Sequence, residues 1–184
     1  MPKIDVTKIK KIGGSDLHDL CDAAESAIAE GGGFGWLKQP PRHVLESFWR
    51  GALLVPERSV FLGRLDGVVV GSAQLVRPSK NNEAQALSVT LTTNFVAPWA
   101  RGHGLARLLT RTAEEEARRD GFQVLNLDVR ATQAAAHRRD HRVLERPYEP
   151  GEPIGLRQGV VIDEGDDLAR RRTNGVVPGA ADVR

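Results

Sequence analysis

The stretch Phe95-Val96-Ala97-Pro98-Trp99-Ala100-Arg101-Gly102-His103-Gly104-Leu105-Ala106 decides how the rest of the chain is read. Upstream of it, residues 86–96 are rich in Thr and Val, the composition of a strand. Downstream, Leu105, Leu108, Leu109, Thr112 and Ala113 recur at helical spacing. Glu114, Glu115, Arg118 and Arg119 supply the solvated face of that helix, and Gly121 stands at the expected C′ position. Between strand and helix lie a proline and two glycines. A strand that passes into a helix through such a turn gathers free backbone N–H groups and the positive end of the helix dipole at one point, which suits an anion such as a phosphate. Gly102 and Gly104 carry no side chain to obstruct that anion. The stretch therefore predicts an enzyme that binds a phosphate-bearing cofactor here.

Working outward, Phe122 to Val129 alternates as a second strand. Strand, helix and strand with a crossover of this length predict a parallel pair. On the N-terminal side, Ser59 to Leu65 and Val68 to Val76 flank Asp66-Gly67, a hairpin signal, and Arg77 to Asn82 reads as an exposed polar loop. Residues 3–12 alternate as a half-buried strand that ends at Gly13-Gly14. Ser15 or Asp16 is placed to cap a helix running to about Glu30, with Leu17, Leu20, Cys21, Ala24 and Ile28 inward. Gly31 to Trp36 is a flexible turn, read as a mobile loop near a substrate entrance. Arg42 to Leu54 makes a second amphipathic helix with Val44, Leu45, Phe48, Trp49 and Leu53 facing the core.

The totals set the class. With 184 residues, 40% hydrophobic and 27% charged, the chain has the size and composition of one globular domain. A net charge of +2 gives no global attraction to nucleic acid or to a membrane surface. The single cysteine, Cys21, excludes an intramolecular disulfide and a multi-cysteine zinc site, and reads as a buried small hydrophobe. There is no leader-like apolar segment and no membrane-length apolar run, from which a cytoplasmic protein is expected.

The order Val96-x-Pro98 followed by Arg101-Gly102-His103-Gly104-Leu105-Ala106 has the form R-x-x-G-x-A. It resembles the acyl-coenzyme A loop of the GNAT superfamily of N-acetyltransferases, and Val129-Arg130-Ala131-Thr132-Gln133-Ala134-Ala135-Ala136 resembles that family's segment after its second parallel strand. The likeness covers roughly residues 3–136. It implies an α/β fold: a mixed, mostly antiparallel sheet whose central parallel pair splays around the cofactor, flanked by helices. It also implies acetyl-CoA as co-substrate, no metal, and transfer of the acetyl group to a primary amine, either a small molecule or a protein amine. No nucleic acid or membrane partner is expected, and a homodimer stays open. The cofactor-binding residues implied are Phe95, Val96, Arg101, Gly102, His103, Gly104, Leu105, Ala106 and Gln133. A Walker-type loop is excluded because no Gly-Lys-Ser/Thr is present. A dinucleotide-binding reading is poor because three meandering strands precede the motif.

Catalytic residues are not assigned. Relatives carry an apolar residue and a general-acid Tyr where this chain has Arg139 and Asp140. Either solvent protonates the leaving thiolate, or the domain binds acyl-CoA without turning it over, in a regulatory role. Glu83 is a candidate base acting through water, and His103 reads as a solvated side chain. His137 and His141 are four apart, yet no third metal ligand is indicated. Trp36, Phe48 and Trp49 read as packing rather than as an aromatic cage.

The chain divides at residue 136 into a cofactor-binding core, 1–136, and a divergent C-terminal segment, 137–184. In the latter the only aromatic is Tyr148, nine Arg balance nine acids, and Lys is absent. Its one apolar run is Gly159-Val160-Val161-Ile162. Three accounts are compatible with this composition: a divergent last helix and hairpin, a largely disordered tail, and an altered reading frame.

Overall fold

In the computed structural model the described residues are 2–31, 36, 38–127 and 159–161. Strand β1 (Ile4–Ile9) leads to helices α1 (Gly14–Ala29) and α2 (Arg42–Ala52), and then to the hairpin β2 (Arg58–Leu65) and β3 (Val68–Val76). Strand β4 (Ser88–Val96) passes through a short 3-10 turn at Pro98–Ala100 into α3 (Leu105–Arg119), which returns through β5 (Val124–Leu127). Strand β6 (Gly159–Val161) completes one six-stranded sheet in sequential order. Every neighbouring pair is antiparallel except β4 and β5, which are parallel as the crossover requires.

The helices lie on opposite faces of the sheet, as the strand alternation of their contacts shows. Arg64 on β2 donates to Thr7 on β1 and to Asp16 on α1. The next residue along β1, Lys8, pairs instead with Glu116 on α3. On the α3 face, Leu105 and Leu109 pack onto Gly63, where a Cβ would sit 3.1 Å from their methyl groups. On the other face, Leu17, Leu20, Cys21, Ala24, Ala27 and Leu45 are buried beneath the two helices. Arg42 at the start of α2 reaches Asp22 and Glu25 on α1 and ties the two together.

One local expectation changes. Helix α1 starts after Gly13 with no side-chain cap, so Ser15 and Asp16 do not serve as N-cap. Asp16 lies in the first turn, where its charge suits the helix dipole and its carboxylate holds Arg64. In α3 the acidic run Glu114-Glu115-Glu116 is not uniformly solvated: Glu116 lies a helical step from Ala113 and is buried. It is balanced there by Lys8, Arg77 and Arg119. The Asp66-Gly67 turn has positive φ at both residues, 50° and 87°, the geometry a tight hairpin requires. The apolar run at the start of Gly159 to Ile162 supplies β6, while residues 128–158 lie outside the described residues.

Candidate functional site

Strand β4 carries one irregularity beside the candidate site. It pairs with β5 from Ser88↔Val124 to Leu91↔Leu127. Residues 128–158, which follow β5, lie outside the described residues. On the other side of β4 the register with β3 shifts between Ser72↔Phe95 and Gln74↔Thr92, so Thr93 and Asn94 together face one residue, Ala73. Thr93 has φ 52°, a conformation a β-branched residue adopts only where neighbours enforce it. The bulge thus turns the β4 backbone just past its last described pair with β5.

Neighbouring packing holds this segment rigidly. Phe95 and Val96 are buried. The Phe95 ring lies 6.2 Å from that of Trp49, which contacts Phe48 at 5.0 Å, and Phe48 meets Trp36 edge-on at 6.3 Å. The three aromatics anticipated as packing therefore form a row from the loop after α1 to β4. Across the sheet, Gly71 is required by a close approach: a Cβ there would meet the Phe95 carbonyl oxygen at 2.5 Å.

Beyond Val96 the chain forms the turn anticipated from the sequence. Gly102 and Gly104 have φ 89° and 84°, left-handed values that an L side chain rarely adopts. Ala100 and Arg101 donate to Ala97 and Pro98, and Leu108 donates to Gly104. The N–H groups of residues 102–107 find no acceptor among the described residues. Gly102, His103 and Gly104 are exposed, so these donors face outward at the N-terminus of a 15-residue helix. Consecutive unpaired amides with alternating left-handed glycines make a nest for an anion, and the helix dipole adds to it. The cradle fits a phosphate or pyrophosphate in charge and in donor chemistry.

Each anticipated site residue can now be placed. Gly102, Gly104, Leu105 and Ala106 contribute backbone to the cradle, with the Leu105 side chain buried beneath it. His103 sits in the cradle with Nδ1 3.2 Å from the Ala100 carbonyl, a contact that shapes the turn. The Arg101 guanidinium is 2.8 Å from Glu30 at the end of α1, so its charge is shared with that carboxylate. Phe95 and Val96 lie on the β4 segment that leads into the cradle. Glu83 is exposed in a 3-10 turn preceding β4. Gln133, His137, Arg139, Asp140 and His141 lie outside the described residues. Among the described residues no group of His, Cys, Asp and Glu is arranged to hold a metal ion.

Sequence reading missed a second polar region. An open cavity of about 320 Å³ lies along β3 and β4, with Arg58, Val76, Ser88, Thr90 and Thr92 in its wall. Its polar lining comes from several strands, and no linear pattern joins Arg58 to Thr90. The nearest signal was the run of Thr in β4, which strand propensity explained equally well.

A parallel strand pair joined by a crossover helix, with unpaired amides at that helix's N-terminus among the described residues, defines an α/β domain whose turn can accept an anion. The sequence profile of the acetyltransferase (GNAT) family matches residues 21–139, and the chain belongs to that family of acyltransferases. It is 62% identical over 133 residues to a protein of Azospirillum brasilense described as an uncharacterized N-acetyltransferase in the hisH-hisA intergenic region. The match spans 72% of this chain and 79% of that protein. Among solved structures, the fold is shared with yncA, a putative acetyltransferase from Salmonella typhimurium determined with its cofactor acetyl-CoA. The TM-score is 0.63 at 18% identity, covering 89% of this chain and 96% of that one. The ribosomal-protein-alanine N-acetyltransferase of Brucella melitensis shares it at TM-score 0.57 and 23% identity, with 72% and 78% covered.

Proposed function

We propose that the protein transfers an acetyl group from acetyl-CoA to a primary amine, with the cradle at residues 102–107 binding the pyrophosphate of the donor. The observation that carries this reading is the run of N–H groups at the start of α3 that find no acceptor among the described residues. Acetyl-CoA supplies an activated thioester and a long pantetheine arm with amide groups of its own. Backbone groups at the Thr93-Asn94 bulge of β4 are placed to bond that arm. An N–H at the Thr93-Asn94 bulge is suited to hold the thioester oxygen as negative charge develops on it. The amine nitrogen forms a bond to the carbonyl carbon as the carbon–sulfur bond breaks. The proton lost by the amine passes to solvent, and the departing thiolate takes one from solvent. Gln133 is assigned to the same cofactor site by the family resemblance. Residues 1–136 are assigned as the cofactor-binding core and 137–184 as a divergent segment. Among the described residues no helix is long and apolar enough to cross a membrane, which is in keeping with a cytoplasmic location.

A second reading, a domain that binds acyl-CoA without turnover, is favoured by Arg139 and Asp140 in place of the apolar residue and Tyr of relatives. Two measurements separate the outcomes. Calorimetric titration with acetyl-CoA should show saturable binding, and absence of heat at about 1 mM ligand would overturn both readings. Release of free thiol from acetyl-CoA with an amine panel should follow binding; binding without amine-dependent release would leave the non-catalytic reading.

A further inference from the structure

Four arginines among the described residues are half-buried, namely Arg42, Arg58, Arg64 and Arg77. Three of them are neutralised. Arg42 has Asp22 and Glu25, Arg64 has Asp16, and Arg77 has Asp120 and Glu116. Arg58 has no carboxylate among the described residues. Its Nη1 donates to Gln74 Oε1 at 2.8 Å, and its Nε is buried with no acceptor. That bond fixes the Gln74 amide with its oxygen toward Arg58 and leaves the buried Nε2 unpartnered as well. A guanidinium drawn partly out of water with donors unspent is costly unless an anion completes it.

The surroundings show where that anion would come from. Arg58 lies in the wall shared by two cavities, the one of about 320 Å³ along β4 and a second of about 420 Å³ beside β1. Among the described residues neither is lined by an acid, whereas Lys8, Lys10, Arg58 and Arg77 line the second. The first cavity also contains the Thr90 and Thr92 side of β4. Thr92 immediately precedes the Thr93-Asn94 bulge, and Arg58 and Thr90 both pair with Val76 across the sheet. A molecule held at Arg58 therefore reaches along β4 toward the place assigned to the thioester.

Resting on the N-acetyltransferase reading above, we propose that the acceptor amine also carries a carboxylate, and that Arg58 is the residue that selects for it. An amino-acid-like zwitterion fits: its carboxylate meets the Arg58 guanidinium at the cavity wall while its amine lies toward Thr92. Arg77, already paired with Asp120 and Glu116, contributes field but no free fork.

The test compares α-amino acids with the corresponding amino-acid amides as acceptors, measuring thiol release from acetyl-CoA. The wild-type protein should favour the acids in kcat/KM by roughly 10- to 100-fold. Arg58→Met should abolish that preference and leave the acetyl-CoA affinity unchanged, and Arg58→Lys should restore part of it. Independently of turnover, N-acetyl amino acids should bind the CoA-loaded wild type in calorimetry, and bind the Arg58→Met protein at least about tenfold more weakly. Equal use of amides, or carboxylate binding indifferent to Arg58, would overturn the proposal. Loss of acetyl-CoA binding in the wild type would instead overturn the parent reading. Should Arg58→Met not fold, Arg58→Lys and Thr92→Val carry the same comparison, with folding checked by circular dichroism.

Discussion

Two polar regions lie toward opposite ends of β4, and they are built in different ways. The anion cradle is local. Its donors are consecutive amides in one turn, and its shape depends on the left-handed backbone of Gly102 and Gly104. The Arg58 cavity is assembled. Its guanidinium comes from β2, the amide that orients it from β3 and its hydroxyls from β4. A local anion site recognises a group common to every reaction of its class, because backbone amides read charge and little else. An assembled site distinguishes one acceptor from another, because each wall can change without disturbing the turn. On the proposed assignment of the two sites, the cofactor end of the molecule is generic and the acceptor end particular.

The largest expected effect breaks the generic half alone. Gly104→Glu places a carboxylate in the cradle, where a Cβ meets nothing closer than Ile4 Cδ1 at 4.0 Å. Repulsion should reduce acetyl-CoA affinity by at least about 1,000-fold. Carboxylate binding at Arg58 should persist in the same protein, because the two sites share no side chain. Strain at φ 84° should cost only about 1–2 kcal/mol of stability, read by chemical denaturation. Unchanged acetyl-CoA affinity would mean that the loop is not the donor site.

Gly71→Ala strikes the partition between the halves. The added methyl would press on the Phe95 carbonyl, a backbone atom that moves only if the β3–β4 register moves. A loss of about 3 kcal/mol in unfolding free energy is expected, with both ligand affinities reduced together. Loss of one affinity alone would show that the two regions are less coupled than the sheet suggests.

Cys21 provides the smallest effect and a control behind both sites. It is fully buried on α1, and burial pushes its thiol up to about 11. The native thiol stays protonated while the unfolded one ionises from about pH 9, so the stability it contributes is complete below that pH. It is lost as pH rises through about 11, by ~2 kcal/mol, and Cys21→Ala should flatten that part of the pH profile. In the native protein near pH 8, a thiol reagent should label Cys21 only as fast as the protein opens.

Legibility followed the same division. Helix α3 and its Gly121 stop were evident from a single period and a single punctuation mark, and Asp66-Gly67 announced its hairpin. The cap of α1 was misread because Ser15 and Asp16 are both good N-cap residues. The chain instead spends Asp16 on Arg64, a residue 48 positions away. Glu116 was hidden in a run of three acids, since only the presence of Lys8, Arg77 and Arg119 around it reveals that one is buried. Arg58 was silent for the converse reason. Nothing in its neighbourhood along the chain shows that three other half-buried arginines find carboxylates and that this one finds none among the described residues.

By itself the sequence determined the parallel crossover, the turn that follows β4 and the anion chemistry of that turn. Backbone conformation at glycines and the period of a helix are local properties of consecutive residues. Only the tertiary structure decided which charges are spent and which remain. Whether a guanidinium is satisfied depends on residues brought together from different strands, and the alternation of each strand carries no information about its neighbour's charge.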